Sequence, residues 1–314
     1  MSKNEKIYEV IHAKIIQRLE NALKSGERFH WVKPWSGICQ SGNAIEWKKE
    51  PKKYHGYRGI NALLLDGLYL TYTQLQDFSA KHPEKEFKIK KGTKQHTVYF
   101  YKLSQFLNKD MDEEGNETLV TKRVPLIRFY NVYSIHDITN LSDYFKVEEL
   151  KHDYNEAMLK ADEIIKDWCK RDGITFIEKE GSDRCYYSPS NHSIVVPPKE
   201  AFKNPYEAYS AYLHESIHSS MRSLNRPNGT MFGDDAYSQE ELIAEIGSSM
   251  LMGALGLDND EDTFSNSIAY LQGWLSKLSS NQDISFITKA ANAAQKAVDL
   301  ILEITNIDSE TDAA

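Results

Sequence analysis

The sequence predicts an α+β protein of two domains, the first mixed in helix and strand and the second mostly helical. At 314 residues the chain is long enough for two hydrophobic cores. Residues 1–145 hold 23 Lys and Arg against 17 Asp and Glu, whereas the rest hold 15 against 29. The halves therefore carry net charges of +6 and −14, which indicates two different tasks. We place the domains at 1–145 and 173–307, joined by a linker helix over 146–172 and followed by a polar tail, 308–314.

Composition excludes several classes of protein. A hydrophobic content of 40% with 11% aromatic residues is typical of a globular chain. The three cysteines, Cys39, Cys169 and Cys185, form no CxxC pair, which argues against a disulfide framework and a cysteine metal site. No apolar run approaches the length of a membrane span, and no apolar segment follows the first residues as in a signal peptide. We therefore expect a cytoplasmic protein with no membrane partner.

The basic half begins with a predicted helix over 7–25, in which Ile11, Ile15 and Leu19 recur every four residues. Two further helices are predicted over 60–65 and 71–80. The β-branched and aromatic segments 98–101 and 124–135 predict two paired strands, with the acidic segment 110–117 as the tip between them. These elements make the first domain α+β.

Cations, aromatic rings and glycines alternate in this half, as they do in proteins that bind single-stranded DNA without strong sequence preference. Lysine neutralises phosphate, and aromatic faces stack on bases. The alternative is that the lysines only solvate a surface while the tyrosines pack in a core. The candidate DNA-binding residues are Trp31, Trp35, Lys52, Lys53, Tyr54, Tyr57, Arg58, Lys90, Lys91 and Lys94.

The acidic half contains the motif HExxH, as His214-Glu215-Ser216-Ile217-His218. On a helix the two imidazoles share one face and can hold one metal ion, while Glu215 can act as general base toward a water at that metal. Asn204 as N-cap and Pro205 at the first position predict that the motif lies in a helix. The alternative is a pair of ordinary helix histidines.

A second predicted helix offers the third metal ligand. Glu241 and Glu245 are four residues apart and share a face. We assign Glu241 to the metal and Glu245 to an outer position, where its carboxylate orients a ligand histidine. The alternatives are that Glu245 binds the metal, or that Glu241 belongs to a capping box beginning at Ser238. Glu240 is expected to be solvated.

This ligand set suits Zn²⁺, although Mn²⁺ or Co²⁺ can occupy such sites. The predicted reaction is attack of water on an amide carbonyl, with Glu215 accepting the proton. Tyr237, expected just before the glutamate helix, or Arg222 could donate to the developing oxyanion. His192 is expected to lie on the surface.

Several runs together resemble the ArdC-type antirestriction proteins of plasmids, phages and other mobile elements. They are Pro34-Trp35, Tyr57–Asn61, Leu63–Leu65, Thr71 with Gln74, Lys91-Gly92, Phe129–Val132, Tyr187–Pro189, Leu213–Glu215 with His218, Phe232–Asp234 and Tyr237–Glu245. The resemblance covers nearly the whole chain. One departure is Ser219-Ser220, which stands where the family has a Trp-Thr-Gly type of sequence.

The resemblance implies a single-stranded-DNA-binding domain fused to a zincin-like metallopeptidase domain, similar in outline to the SprT and Spartan proteases. It implies protection of incoming DNA from host restriction, and it favours Glu241 over Glu245 for the metal. In zincin folds an edge strand above the active-site helix pairs with substrate, a part that Ser193–Val196 could play.

Three hypotheses remain open at this stage. The chain is a DNA-tethered metallopeptidase that cuts a protein bound to DNA, a module that coats DNA and has a non-catalytic metal site, or a metallopeptidase-fold regulator that acts on a protein partner.

Overall fold

A computed structural model describes residues 3–25, 42–45, 57–65, 67–111, 117–145, 154–227, 235–257, 283 and 285–303. It confirms an α+β protein with two domains, in which the sheets are small. Predictions that lie outside the described residues concern the polar tail 308–314 and the candidate DNA-binding residues Trp31, Trp35, Lys52, Lys53 and Tyr54.

The helices of the first domain form close to where the sequence predicts them. The apolar stripe of the first helix, Ile11, Ile15 and Leu19, is fully buried. Thr71 caps the third helix in a complete capping box with Gln74, which satisfies two backbone N–H groups at once. The elements up to this point are α1 (Lys3–Ser25), β1 (Gly42–Asn43), α2 (Ile60–Leu64), β2 (Leu68–Leu70) and α3 (Tyr72–Lys81).

A long hairpin dominates the first domain. Its strands are β3 (His96–Met111) and β4 (Glu117–Ser134), antiparallel from His96 opposite Val132 to Met111 opposite Glu117. The sheet order is β1-β2-β4-β3, with β1 parallel to β2. A 3-10 turn (Ile135–Asp137) and the short helix α4 (Leu141–Tyr144) then close a small core beneath α3.

The second domain wraps helices around a three-stranded sheet. The expected linker helix is α5 (Tyr154–Asp172), whose Trp168 is buried against the other helices of this domain. The remaining elements are β5 (Thr175–Glu178), β6 (Tyr186–Ser188), β7 (Ser193–Val196), a 3-10 turn (Lys199–Ala201), α6 (Pro205–Ser219), α7 (Asp235–Leu255) and α8 (Phe286–Ile301).

Two expectations about this sheet are wrong. The sheet order is β5-β7-β6, so Ser193–Val196 is the central strand and is hydrogen-bonded on both sides. The strand at the end of that order beside α6 is β6 instead. His192 is buried and not on the surface. Both of its ring nitrogens have partners there: Nδ1 lies 2.8 Å from the Tyr187 hydroxyl and Nε2 lies 2.8 Å from the Asp172 carbonyl.

The two domains share one hydrophobic core, to which α1, α2, the hairpin and α5–α8 all contribute. Helix α8 contacts α7 and α6 on one side and α2 and α1 on the other. The Gly59 N–H donates to Gln295 Oε1 of α8 over 3.1 Å, and a Cβ on Gly59 would overlap the Asn292 side chain. Since Gly59 has φ +54, its lack of a side chain serves both the backbone conformation and this close contact.

Among the residues that the structure describes, no helix combines the length and the apolar character needed to cross a bilayer.

Candidate metal centre

The HExxH motif lies in α6, as predicted. Asn204 Oδ1 accepts a 2.9 Å hydrogen bond from the Glu207 N–H, and Pro205 occupies the first turn, where its missing N–H costs nothing. Leu213 and Ile217 are fully buried, so packing of this stripe fixes the rotation of the helix about its axis. That rotation turns both motif histidines toward α7.

The second glutamate-bearing helix, α7, begins at Asp235, which is three residues before Ser238. The alternative of a capping box from Ser238 to Glu241 is therefore wrong, since Ser238 lies inside the helix. The two helices approach closely at Gly247, where an added Cβ would lie 2.7 Å from Ile217 Cδ1. The absence of a side chain at Gly247 lets the glutamates of α7 reach the histidines of α6.

Three ligand atoms converge between the helices. His214 Nε2 and His218 Nε2 are 3.0 Å apart, and Glu241 oxygens lie 3.7 Å from the first and 3.6 Å from the second. A tetrahedral zinc with bonds of about 2.0–2.1 Å needs its ligand atoms about 3.3 Å apart. The donor set and its spacing therefore fit one divalent ion. Among the described residues, His214, His218 and Glu241 form the group whose ligand atoms all lie within 4.8 Å of one another.

The outer nitrogens of both histidines face carboxylates. Glu245 Oε1 lies 3.8 Å from His214 Nδ1, close to the predicted outer position but beyond hydrogen-bond length. Glu240, which was expected to be solvated, is buried, and its Oε1 lies 3.3 Å from His218 Nδ1. Burial raises the pKa of Glu240, but hydrogen bonds from Arg226 and His218 outweigh this effect. The net result is a pKa below the ordinary value. Glu240 is therefore a buried carboxylate.

Glu215 is buried beside the three ligand residues. Burial raises the pKa of its carboxyl above the ordinary value, although the two histidines and a backbone hydrogen bond from Tyr187 of β6 oppose the rise. Burial, together with the nearby charge of Glu215, raises the pKa of the Cys185 thiol to about 11. That thiol stays protonated at neutral pH.

Two buried side chains hold α6 in place behind the site. Trp168 of α5 donates from Nε1 to Ser219 Oγ over 2.9 Å. The Tyr212 hydroxyl donates to the Pro197 carbonyl over 2.6 Å, just after β7. The departure from the family at Ser219-Ser220 thus has a structural use, because Ser219 is the acceptor for Trp168.

The two candidate oxyanion donors, Tyr237 and Arg222, lie in different parts of the second domain. Tyr237 lies within α7, not before it, and its side chain is outside what the structure describes. Arg222 is exposed after the end of α6, and its charge lowers the pKa of the Tyr187 hydroxyl against a larger rise from burial. Arg222 thus lies near Tyr187 of β6.

The described DNA-binding candidates separate into two groups. Lys90, Lys91 and Lys94 are exposed or nearly so around the turn before β3. Tyr57 is buried against Tyr69, and Arg58 forms an ion pair with Asp299 of α8. The expectation that Tyr57 stacks on a base and Arg58 meets phosphate does not agree with these positions, since Tyr57 is buried in the core and Arg58 pairs with a carboxylate of the second domain.

Sequence reasoning missed Arg226 and the backbone of Tyr187. Arg226 lies between α6 and α7, 14 residues before Glu240, and no motif marks it. One signal was available for Glu240: a residue next to a ligand lies about 100° round the helix. Once Glu241 faces the metal, Glu240 can face a neighbouring histidine.

Comparison with known proteins agrees with this architecture. Residues 5–133 match the family described as the N-terminal domain of anti-restriction factor ArdC, and residues 160–293 match the zincin-like metallopeptidase family MPTase-PolyVal. A DNA primase TraC of Escherichia coli is 29% identical over 93% of this chain, but the chain spans only 27% of that primase. An uncharacterised protein, y4eC of Sinorhizobium fredii, is 28% identical over 93% of this chain and 90% of its own length.

Two solved structures of the antirestriction protein ArdC from plasmid R388 share the fold, each with a TM-score of 0.61. The metal-free structure is 28% identical and the Mn(II)-bound structure 26%, each over 94% of this chain and at least 96% of the other. The two family matches follow each other along the chain, which has an ArdC N-terminal domain followed by a zincin-like metallopeptidase domain and is similar over nearly its whole length to the ArdC antirestriction protein.

Proposed function

We propose that this protein binds single-stranded DNA through its first domain and acts through its second as a metal-dependent peptidase on protein bound to that DNA. Protection of incoming mobile-element DNA from restriction is the proposed role. The observation that carries the peptidase proposal is the convergence of His214, His218 and Glu241 beside the buried Glu215, with the two Nε2 atoms 3.0 Å apart and a Glu241 oxygen within 3.7 Å of each. The Mn(II)-bound ArdC structure supports a divalent ion in the same fold.

His214, His218 and Glu241 would hold the metal, with Zn²⁺ as the proposed ion and Mn²⁺ or Co²⁺ as alternatives. When bound there, such an ion supplies Lewis-acid activation of water and polarisation of a carbonyl. Glu245, near the outer nitrogen of His214, would help to keep that ring turned inward. No cysteine takes part in the proposed ligand set.

Glu215 is the proposed general base. Its raised pKa gives it more affinity for a proton than an exposed glutamate has, while the neighbouring histidines limit the rise. A carboxylate tuned in this direction is better suited to taking a proton from water at neutral pH. The N–H of Tyr187 holds the carboxylate from β6, and we propose that the substrate backbone lies along this strand.

The proposed DNA surface lies around the turn before β3 and on β4. Lys90, Lys91 and Lys94 supply cations there, and the ring of Phe129 on β4 is 53% exposed, as a stacking platform requires. Beside it on β4, Asn131 donates to Gln95 over 2.7 Å, which adds amide groups able to meet bases. The E. coli relatives named as DNA primases support association with DNA.

A second candidate function is DNA coating with a metal that has no catalytic role. The buried Glu215 favours the peptidase instead, because a structural metal needs no acid held beside it at a cost in desolvation. A third candidate, a regulator acting on a protein partner, predicts no steep dependence of DNA affinity on salt.

The first experiment measures metal content and single-strand DNA affinity on the same samples of wild type, His214→Ala and Glu241→Ala. One metal per chain in wild type, lost in both variants while DNA affinity persists, is expected. If Glu241→Ala retains the metal, the third ligand is Glu245 and not Glu241. A wild type that cannot be loaded with Zn²⁺, Mn²⁺ or Co²⁺ refutes the peptidase proposal.

Activity is tested with Glu215→Gln, which keeps the shape of the side chain. Cleavage of labelled casein, with and without single-stranded DNA, and protection in a restriction assay are measured on samples of equal metal content. Loss of cleavage and of protection supports the DNA-tethered peptidase. Protection that survives in this variant supports DNA coating.

The DNA surface is tested by charge reversal of Lys90, Lys91 and Lys94 together. The plot of log affinity against log salt becomes shallower by about 0.7 for each phosphate contact that is lost. Loss of three contacts therefore reduces the magnitude of its slope by about two. Reversal of the exposed Lys160, Lys166 and Lys170 on α5 is the matched control. An unchanged slope in the triple variant removes this turn from the DNA surface.

A further inference from the structure

A buried ion pair stands directly behind one of the two motif histidines. Arg226, in the segment after α6, donates from Nη2 to Glu240 Oε1 over 2.7 Å and from Nε to Glu240 Oε2 over 2.9 Å. Only 8% of each side chain is exposed. Two parallel hydrogen bonds between a guanidinium and a carboxylate fix the plane of the carboxylate as well as its position.

The same guanidinium is tied to the end of the motif helix. Arg226 Nη2 also donates to the Ile217 carbonyl over 2.9 Å, and Nη1 donates to Ser220 Oγ over 3.0 Å. Both acceptors are within three residues of His218. The carboxylate of Glu240 is thus held by α6 itself through Arg226, although Glu240 belongs to α7.

Glu240 Oε1 lies 3.3 Å from His218 Nδ1. An ionised carboxylate can only accept, so Nδ1 must be the donor. In a neutral imidazole the proton is then on Nδ1, which leaves Nε2 free to bind a metal. His218 Nε2 is the atom that faces His214 Nε2 at 3.0 Å and Glu241 at 3.6 Å.

We propose that Arg226 and Glu240 form a positioning pair that fixes the ring orientation and the tautomer of His218 for metal binding. This inference rests on the proposed metal centre. Arg226 and Glu240 do not touch the metal or the substrate; they act through His218. The pair also joins the end of α6 to the first turns of α7, so it helps to set the distance between His218 and Glu241.

The other histidine provides an internal comparison. Glu245 Oε1 lies 3.8 Å from His214 Nδ1, and 29% of the Glu245 side chain is exposed. A longer and more solvated contact restrains a ring less than a buried, forked one does. Loss of the Glu245 carboxylate is therefore expected to lower metal affinity less than loss of the Glu240 carboxylate.

The experiment compares wild type with Glu240→Gln, Arg226→Lys and the matched control Glu245→Gln, all as full chains. Affinity for Zn²⁺ and Co²⁺ is measured by competition with a chromophoric chelator, and the visible spectrum of the Co²⁺ form is recorded. Glu240→Gln is expected to weaken metal binding about 10- to 100-fold, the usual cost of losing an outer partner of a ligand histidine. Arg226→Lys keeps the charge but not the fork, so it is expected to weaken binding in the same direction.

A merely structural ion pair gives a different result. The chelator-treated proteins would melt earlier, yet once folded they would bind metal within threefold of wild type and show the wild-type Co²⁺ spectrum, which overturns the proposal. A control loss in Glu245→Gln equal to that in Glu240→Gln also overturns it. If wild type itself binds neither ion, the proposed metal centre fails and this inference fails with it.

Discussion

The close approach of α6 and α7 at Gly247 predicts that a single methyl group there will disturb the metal site. A Cβ on Gly247 would lie 2.7, 2.9 and 3.1 Å from Cδ1, Cγ1 and Cγ2 of Ile217. Carbon atoms pack best at about 3.5–4.0 Å, so Gly247→Ala requires the helices to separate locally by about 1 Å or Ile217 to leave its position. Ile217 is fully buried, which leaves it little room to move.

Two opposing effects set the stability of this variant. Overpacking costs about 1–3 kcal/mol, whereas replacing glycine by alanine inside a helix returns about 1 kcal/mol. The net change in the free energy of unfolding is therefore small, at most about 2 kcal/mol destabilising by these figures. The metal site is more sensitive, because ligand distances tolerate only about 0.2 Å of error. Glu241 is on α7 and both histidines are on α6, so a separation near 1 Å is expected to lower metal affinity at least about tenfold.

The assay is chelator competition for Zn²⁺, with urea unfolding of the metal-free protein on the same samples. Ile217→Ala removes all three contacting atoms, so the double variant with Gly247→Ala should bind metal more tightly than Gly247→Ala alone. Its destabilisation should also be smaller than the sum of the two single changes. Metal affinity within threefold of wild type in Gly247→Ala refutes the idea that this contact positions Glu241.

Other positions give further expectations. Arg58→Met leaves the Asp299 carboxylate buried without its cation and should destabilise by about 2–4 kcal/mol in urea unfolding; a neutral result removes the pair from the domain interface. Burial raises the pKa of Asp283, but hydrogen bonds led by that of Lys289 lower it to below its ordinary value. Its contribution is therefore present above the unfolded pKa and lost as pH falls through the folded value, so Asp283→Asn should flatten the acid limb of a stability–pH curve. Trp168→Phe removes a buried hydrogen bond and should cost about 1–3 kcal/mol on thermal melting.

Local signals predicted the helices well where the residue that caps them is adjacent in sequence. Asn204 and Pro205 predicted the start of α6. The helix predicted over 71–80 corresponds to α3, and its cap, Thr71 with Gln74, is likewise local. The spacing of His214 and His218 then sufficed to place two ligand atoms 3.0 Å apart. Each of these inferences depends on geometry within one helix, which sequence carries directly.

Features that depend on contacts between distant segments were not predictable in the same way. The burial of Glu240 requires Arg226, and a lone arginine after a helix carries no sign of its partner. The order β5-β7-β6 places Ser193–Val196 in the centre of its sheet, although a central and an edge strand of four residues look alike in sequence. Arg58 lies in a run of cations and aromatics typical of a DNA surface, yet its partner Asp299 is more than 200 residues away.

Helix α8 contacts both domains and so connects the proposed DNA-binding and peptidase activities. This helix packs on α7 and α6, which carry the metal ligands, and it also receives the Arg58 ion pair and the Gly59 hydrogen bond from the first domain. Removal of the first domain would therefore expose a face of α8 that is apolar and also contains the buried Asp299 carboxylate. An isolated metallopeptidase domain is expected to be less stable for this reason, and loss of its activity would not by itself show that DNA is required. Tests of DNA dependence need the full chain, with the DNA surface altered at Lys90, Lys91 and Lys94 and the contact with α8 left intact.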